Sequence, residues 1–288
     1  PSEPTADAYR DAALILDIGT FGARYSDVES VAEIGVDTWL DEQFSMPISL
    51  HEPIVRRYAA QYGFNNQDSP IPVGQFRRFA FFDNALTAPD QLRQVTAYAL
   101  TQLFVVSQTG VLGNNPLGLS SYYDTLLTHS FGNYRDLLRA VTLHPAMGFY
   151  LSHVNNGKTD PDANTFPDEN YAREVMQLFT IGVYELNPDG TQKLDTDGRP
   201  IPTYDNTDIR EFSKIFTGLA YAGADGQEPQ FGRNRAVLHA PMVMFDGYHE
   251  QGEKYLLNEF VVPDGQTGIQ DIDDAVDNLF NHPNVGPF

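Results

Sequence analysis

The stretch "APDQLRQVTAYALTQLFVVSQ" sets Leu92, Val95, Ala99, Leu103 and Val106 at the spacing of one helical face. The same texture fills the first two thirds of the chain. Amphipathic segments of this length, joined by short polar turns, can bury their apolar stripes only against one another, so a mainly α fold, a multi-helix globular bundle, is expected. Thr5 to about Ala23 reads as one helix. "YSDVESVAEIGVDTWLDEQFSM" reads as a second, with Ser26 as N-cap and Glu29 closing a capping box, stopped by Pro47. "LHEPIVRRYAAQYG" and "GQFRRFAFFDNALT" follow, then the stretch quoted above. Three shorter helices come next, punctuated by Gly132 and Pro145.

After Gly182 the pattern changes. "VYELNPDGTQKLDTDGRPIPTYD" carries two Asp-Gly turn signals between β-compatible residues, which predicts a small hairpin insertion over 183–204. "NTDIREFSKIFTGL" returns to helix with Asn206 or Thr207 as cap. From Ala220 to Val262 the glycines, prolines and aromatics mix without period, as irregular loops and short strands do. A last amphipathic helix ends before Pro283. No internal repeat is evident, and 1–288 is expected to form a single helical domain. With 288 residues and 41% apolar content, the chain can bury a substantial core.

Several function classes fall away on composition. No apolar run approaches the roughly 18 residues a membrane helix needs, so no membrane insertion is expected. The net charge of −21, with 14 Arg and 4 Lys, repels phosphate backbones and anionic lipid, so nucleic acid is not an expected partner. The absence of cysteine excludes disulfides, thiolate nucleophiles and Cys-ligated metal centres. Strong acidity with little Lys, and a start without initiator Met that fits removal of a signal peptide, suit a secreted or periplasmic protein. No Gly-x-Ser-x-Gly elbow and no Gly-rich phosphate loop is present.

The segment "PDENYAREVMQLFTIGVYELNPDG" carries the strongest candidate site. A helix starting near Pro167 and running four turns pairs Glu169 with Arg173 and Asn170 with Glu174 at i,i+4, with Gln177 on the same stripe, while Tyr171, Val175 and Leu178 turn to the core. Glu174 and Glu169 are the candidate acid/base carboxylates, Arg173 the anion-binding group, and Asn170 and Gln177 substrate-orienting amides. The competing reading makes the same groups a buried network that ties helices together. Just upstream, Asp160, Asp162, Asn164 and Asp168 occupy positions 1, 3, 5 and 9 of a calcium-loop spacing, although Thr165 replaces the Gly at position 6 and Tyr171 the Glu at position 12. Calcium is the one cofactor this pattern suggests. His153 joins the catalytic candidates, and His129, His249 and Asn155 the substrate-binding ones. With Glu174 they also allow a metal-dependent redox reading, though no pair has zinc-helix spacing.

The segments "TFGARYSDVESVAEIGVDTWLDEQF", "LRQVTAYALTQLFVVS", "YYDTLLTHSFGNYRDLLRAVTLHPAMGFYLSHVNN", "PDENYAREVMQLFTIGVYELNPDG", "YDNTDIREFSKIFTG" and "HEQGEKYLL" occur in an order that resembles the bacterial family catalogued as domain of unknown function 1800. The resemblance covers nearly the whole chain; "LILDIGTFG" departs from the Arg- and Gln-containing version more usual there. It implies an exported protein, often encoded beside a sulfatase-like companion, and a family domain that continues past "HPNVGPF" with more helix. The chain is thus expected to be the N-terminal part of a longer domain, with its own C-terminal segment or the companion protein as partners. The expected activity is an extracellular hydrolase or lyase on a polymer such as a polysaccharide. The alternative is a non-catalytic binding or surface-assembly protein with a structural calcium loop.

Overall fold

The computed structural model describes residues 3–63, 71–223, 227–233 and 237–288. Among these it shows a mainly helical protein of 12 α-helices with two small two-stranded antiparallel sheets. The chain divides into two compact units, 1–132 and 133–288. Short stretches of the irregular region, 224–226 and 234–236, lie outside the described residues.

The first unit holds α1 (Ala6–Gly19), α2 (Tyr25–Ile34), α3 (Val36–Ser45), α4 (Glu52–Tyr62), α5 (Gln75–Thr87), α6 (Gln91–Leu103) and α7 (Pro116–His129). Thr5 caps α1, its hydroxyl accepting from the Ala8 N–H. The second predicted helix is two. Gly35 sits at φ 87°, a value that favours glycine, and ends α2 before α3 begins. The cap also differs from expectation: Arg24 is the N-cap residue, its N–H donating to Asp27 Oδ2 at 2.8 Å, so Asp27 fills the place predicted for Glu29. Ala12, Leu16, Val31, Ala32 and Trp39 form one core, and Val55, Ala59, Phe76 and Ala80 another.

Helix α6 buries a face different from the predicted one. Arg93, Gln94 and Ala97 are enclosed, while Ala99 is exposed. The reason is polar: Gln94 Nε2 donates to the Ser49 carbonyl at 2.9 Å, and its Oε1 lies 3.0 Å from His51 Nε2. Asp90 accepts from the Ser49 N–H and Asn84 Nδ2 donates to the Ser49 carbonyl, so the 46–51 loop is held by buried amides and a carboxylate. Asp124 of α7 receives the N–H groups of His51 and Glu52 at 2.7 and 2.9 Å, serving the start of α4.

The second unit holds α8 (Tyr134–Leu143), α9 (Pro145–Tyr150), α10 (Asn170–Gln177), α11 (Asn206–Ile215) and α12 (Gly268–Phe280). Strand β1 (Leu219–Ala220) pairs with β2 (Val243–Met244), and β3 (Lys254–Tyr255) with β4 (Val261–Val262). Its core is aromatic: Tyr171, Phe179, Phe212 and Phe216 are each at most 2% exposed, each contributing about 1.5–3 kcal/mol. Arg135 and Arg139 of α8 pair with Asp277 and Asp273 of α12. Asp205, and neither Asn206 nor Thr207, caps α11, accepting from the N–H groups of Thr207 and Asp208.

The segment predicted as one hairpin makes the two Asp-Gly turns but closes a ring of three arms. Glu185 N–H donates to the Ile201 carbonyl at 2.8 Å, Ile201 N–H to Lys193 at 3.1 Å, and Lys193 N–H to Glu185 at 2.8 Å. These residues stand eight apart, and each is followed four residues later by Asp189, Asp197 or Asp205. A short repeat is therefore present where none was read. It hides because its third copy ends in the cap of α11 instead of a turn.

Candidate functional site

Helix α10 is shorter than predicted, eight residues, and starts at Asn170 with Glu169 as its N-cap residue. Tyr171, Ala172, Val175 and Met176 are buried, whereas Leu178 is 46% exposed and not in the core. On the opposite face Asn170 is exposed, and Arg173, Glu174 and Gln177 are half-buried. The stripe therefore lies at the surface, reachable from solvent, and is not the enclosed network of the competing reading. Arg173 Nη2 stands 3.6 Å from Glu169 Oε2 with both side chains more than 40% exposed, a pair of small energy. Tyr204, unanticipated, joins the stripe by donating to Gln177 Oε1 at 3.2 Å. Burial pushes its hydroxyl pKa up; Arg173 lowers it and Glu174 raises it further.

The histidines of the second unit do not gather there. His153 is 1% exposed, stacks on Tyr171 with centroids 3.9 Å apart, and faces the Thr142 carbonyl through Nε2 at 2.8 Å. A nitrogen facing a carbonyl must donate, so Nδ1 carries a lone pair, enclosed and without a hydrogen-bond partner. Burial lowers its pKa to about 4, with the Thr142 bond pulling the other way. His153 is thus a neutral core residue beside Tyr171. His129 ends α7 in the first unit. Asn155, at φ 57°, accepts from the Gly232 N–H at 3.0 Å and pins that loop.

The acidic loop uses its oxygens locally. Asp160 Oδ1 accepts from the N–H groups of Asp162 and Ala163, both at 3.0 Å, and Asp168 Oδ1 accepts from Asn170 N–H at 2.8 Å. Asn164 adopts φ 52° in the turn. Among the described residues no three His, Asp or Glu side chains gather as a group able to hold a metal ion.

His249 belongs to a constellation that spacing did not disclose. It is fully buried, with Lys254 2% and Asp271 1% exposed. Asp271 Oδ2 accepts from His249 Nε2 at 2.9 Å and Lys254 Nζ at 2.6 Å, and Oδ1 from Gln266 Nε2 at 3.1 Å. His249 Nδ1 lies between the Thr217 carbonyl, at 3.0 Å, and the Thr217 hydroxyl, at 3.2 Å, which can donate to it. Burial raises the Asp271 pKa, but the bonds from His249 and Lys254 and the Lys254 charge outweigh it and hold it below the ordinary carboxylate value. The sequence signal was a Lys, rare in this chain, five residues after a His.

In the first unit a groove of about 660 Å³ opens where the end of α1, α2, α3 and the α5–α6 connection meet. Its size suits a ligand of several sugar rings. Leu16, Val31 and Trp39 form an apolar floor. Around it stand Phe21, Asp27 and Glu42 with Thr20 and Ser30 hydroxyls. Phe21, 36% exposed, is set edge-on against Phe81 and Tyr98 at 5.4 and 5.8 Å. Gln91 Nε2 donates to the Asn84 and Ala88 carbonyls, holding the connection. The break at Gly35, missed from the sequence, is what folds α2 back from α3 along one side of this groove.

No curated protein and no solved structure matches the chain. The family model described as "Protein of unknown function (DUF1800)" matches residues 15–288, and the chain belongs to that family.

Proposed function

We propose that the chain binds a neutral polysaccharide outside the cytoplasm, with the groove of the first unit as the binding site. One observation carries the reading: a groove of ligand size in which a partly exposed, fixed aromatic ring stands beside carboxylates and hydroxyls. Sugars offer apolar ring faces for an aromatic and hydroxyls that donate to a carboxylate such as Glu42, Asp27 being held by Arg24 at the groove's edge. The net charge of −21 favours a neutral polymer over an acidic one. Titration calorimetry with neutral hexasaccharides of glucose, xylose and mannose tests it, with Phe21→Ala and Glu42→Gln expected to weaken binding about tenfold or more. No binding to any of the three, or equal binding by both variants, overturns it.

A second reading, hydrolase or lyase chemistry on the same class of polymer, is supported by the surface position of Glu174, Glu169 and Arg173 and uses one carboxylate as acid and another as base. Its test is release of reducing ends by wild type against Glu174→Gln.

A further inference from the structure

A smaller cavity of about 260 Å³ opens in the first unit beside α5, α6 and α7 and shares no lining residue with the groove. In a chain with 39 acidic residues its lining contains none. Its one charged group is Arg77. Arg77 Nη1 donates to Gln108 Oε1 at 3.2 Å, which leaves the Gln108 amide nitrogen as a further donor at the cavity. Arg77 Nε is enclosed and has no hydrogen-bond partner, and no carboxylate contributes to the electrostatics of Arg77. Burial lowers the Arg77 pKa, and the only counterweight is the neighbouring Tyr123 hydroxyl. Arg77 is half-buried, and an enclosed Nε–H with neither carboxylate nor other acceptor is costly unless something supplies one. Two other polar side chains are already committed: the Tyr122 hydroxyl donates to the Phe104 carbonyl and the Tyr123 hydroxyl to the Gln94 carbonyl. Thr101 also donates to the Tyr98 carbonyl and Gln102 Nε2 to the Thr101 hydroxyl, and the rest of the wall is Phe104, Val105, Val106 and Leu119.

We propose that this cavity binds a small organic carboxylate, its oxygens taken by Arg77 and the Gln108 amide and its hydrocarbon part by Val105, Val106 and Leu119. A planar fork of N–H donors matches a carboxylate, and the apolar wall selects a hydrophobic acid over an inorganic anion. The site does not depend on the polysaccharide reading, since it uses none of the same residues.

The test uses the whole chain and sodium benzoate, with benzamide and inorganic phosphate as controls. Calorimetry is expected to show benzoate binding at least tenfold more tightly than benzamide and phosphate, and Arg77→Met is expected to weaken benzoate at least tenfold. Benzoate binding no tighter than benzamide, or equal binding by Arg77→Met, overturns the proposal. Phosphate binding as tightly as benzoate also overturns it, since the apolar wall then plays no part. If Arg77→Met does not fold, the ¹⁵N–¹H resonance of Arg77 Nε in the wild type decides: benzoate is expected to move it, and an unmoved signal at saturating benzoate refutes the assignment.

Discussion

Replacing Asp271 by Asn keeps the side chain's shape and removes its charge. In the native cluster Asp271 Oδ2 receives both Lys254 Nζ, at 2.6 Å, and His249 Nε2, at 2.9 Å, with all three residues at most 2% exposed. The asparagine keeps one acceptor oxygen, but Lys254 is left as an ammonium deep in the second unit with only neutral oxygens, that one and the Gly252 carbonyl, as partners. Breaking a buried pair from one side costs about 3–5 kcal/mol, and the retained acceptor puts this change near the lower end, about 3 kcal/mol or roughly 10²-fold in the unfolding constant. Adding Lys254→Met removes the stranded charge and is expected to recover at least about 1 kcal/mol. The only tryptophan, Trp39, lies in the first unit, so its fluorescence is the wrong probe. Hydrogen exchange of the α12 amides along a urea series reads the second unit directly. The sign of the pH dependence is also determined. The Asp271 pKa lies lower in the folded than in the unfolded chain, so its contribution is present above about pH 4 and lost as pH falls through the folded value. Asp271→Asn should lack that acid-side loss. A destabilisation below about 1 kcal/mol, or a double variant no more stable than the single one, refutes the view that this carboxylate neutralises a buried ammonium.

Three further outcomes are expected. His153 and His144 have their pKa lowered by burial to about 4 and about 3, so stability of the second unit should fall as pH drops from about 6.5 to 4 by up to about 1.4 kcal/mol per pH unit for each; His153→Phe, monitored by exchange at α8, should reduce that slope by the His153 share and leave the His144 share. Asp124 is pushed up to about 7 by burial, with two backbone N–H donors pulling the other way, so its own contribution to the first unit should fall as pH rises from 4 to 7, opposite in sign to that of His51, which burial lowers to about 4, and Asp124→Asn should unmask the His51 trend. A carboxyl ¹³C titration placing Asp124 at an ordinary value would remove the basis for it. Gly182→Ala should cost about 1–3 kcal/mol or more, because φ is +67° and a Cβ would meet the Phe288 ring at 2.6 Å; in a Phe288→Ala background only the backbone part, near 1 kcal/mol, should remain.

Of the candidate site, the α10 stripe was legible because helical spacing puts residues 170, 173, 174 and 177 on one face whatever surrounds them. That Tyr204 closes the stripe was not, since it arrives from 27 residues away. The histidines misled for the same reason: their nearness in sequence says nothing about whether a ring meets a core tyrosine, as at His153, or a carboxylate 22 residues on, as at His249. Arg77 and the groove around Phe21 carry no motif at all.

The helical class, the cap of α1, the turns at Gly190 and Gly198 and membership of the family follow from residue order, because periodicity, capping and turn chemistry act over a few neighbours. Which face of α6 is buried, where Gly35 breaks a run of good helix formers, how three arms close into a ring, and which charges meet out of water were decided only when distant segments packed. Burial and pairing are properties of surroundings, and one apolar stripe can be outbid by a loop such as 46–51 that needs buried donors and acceptors.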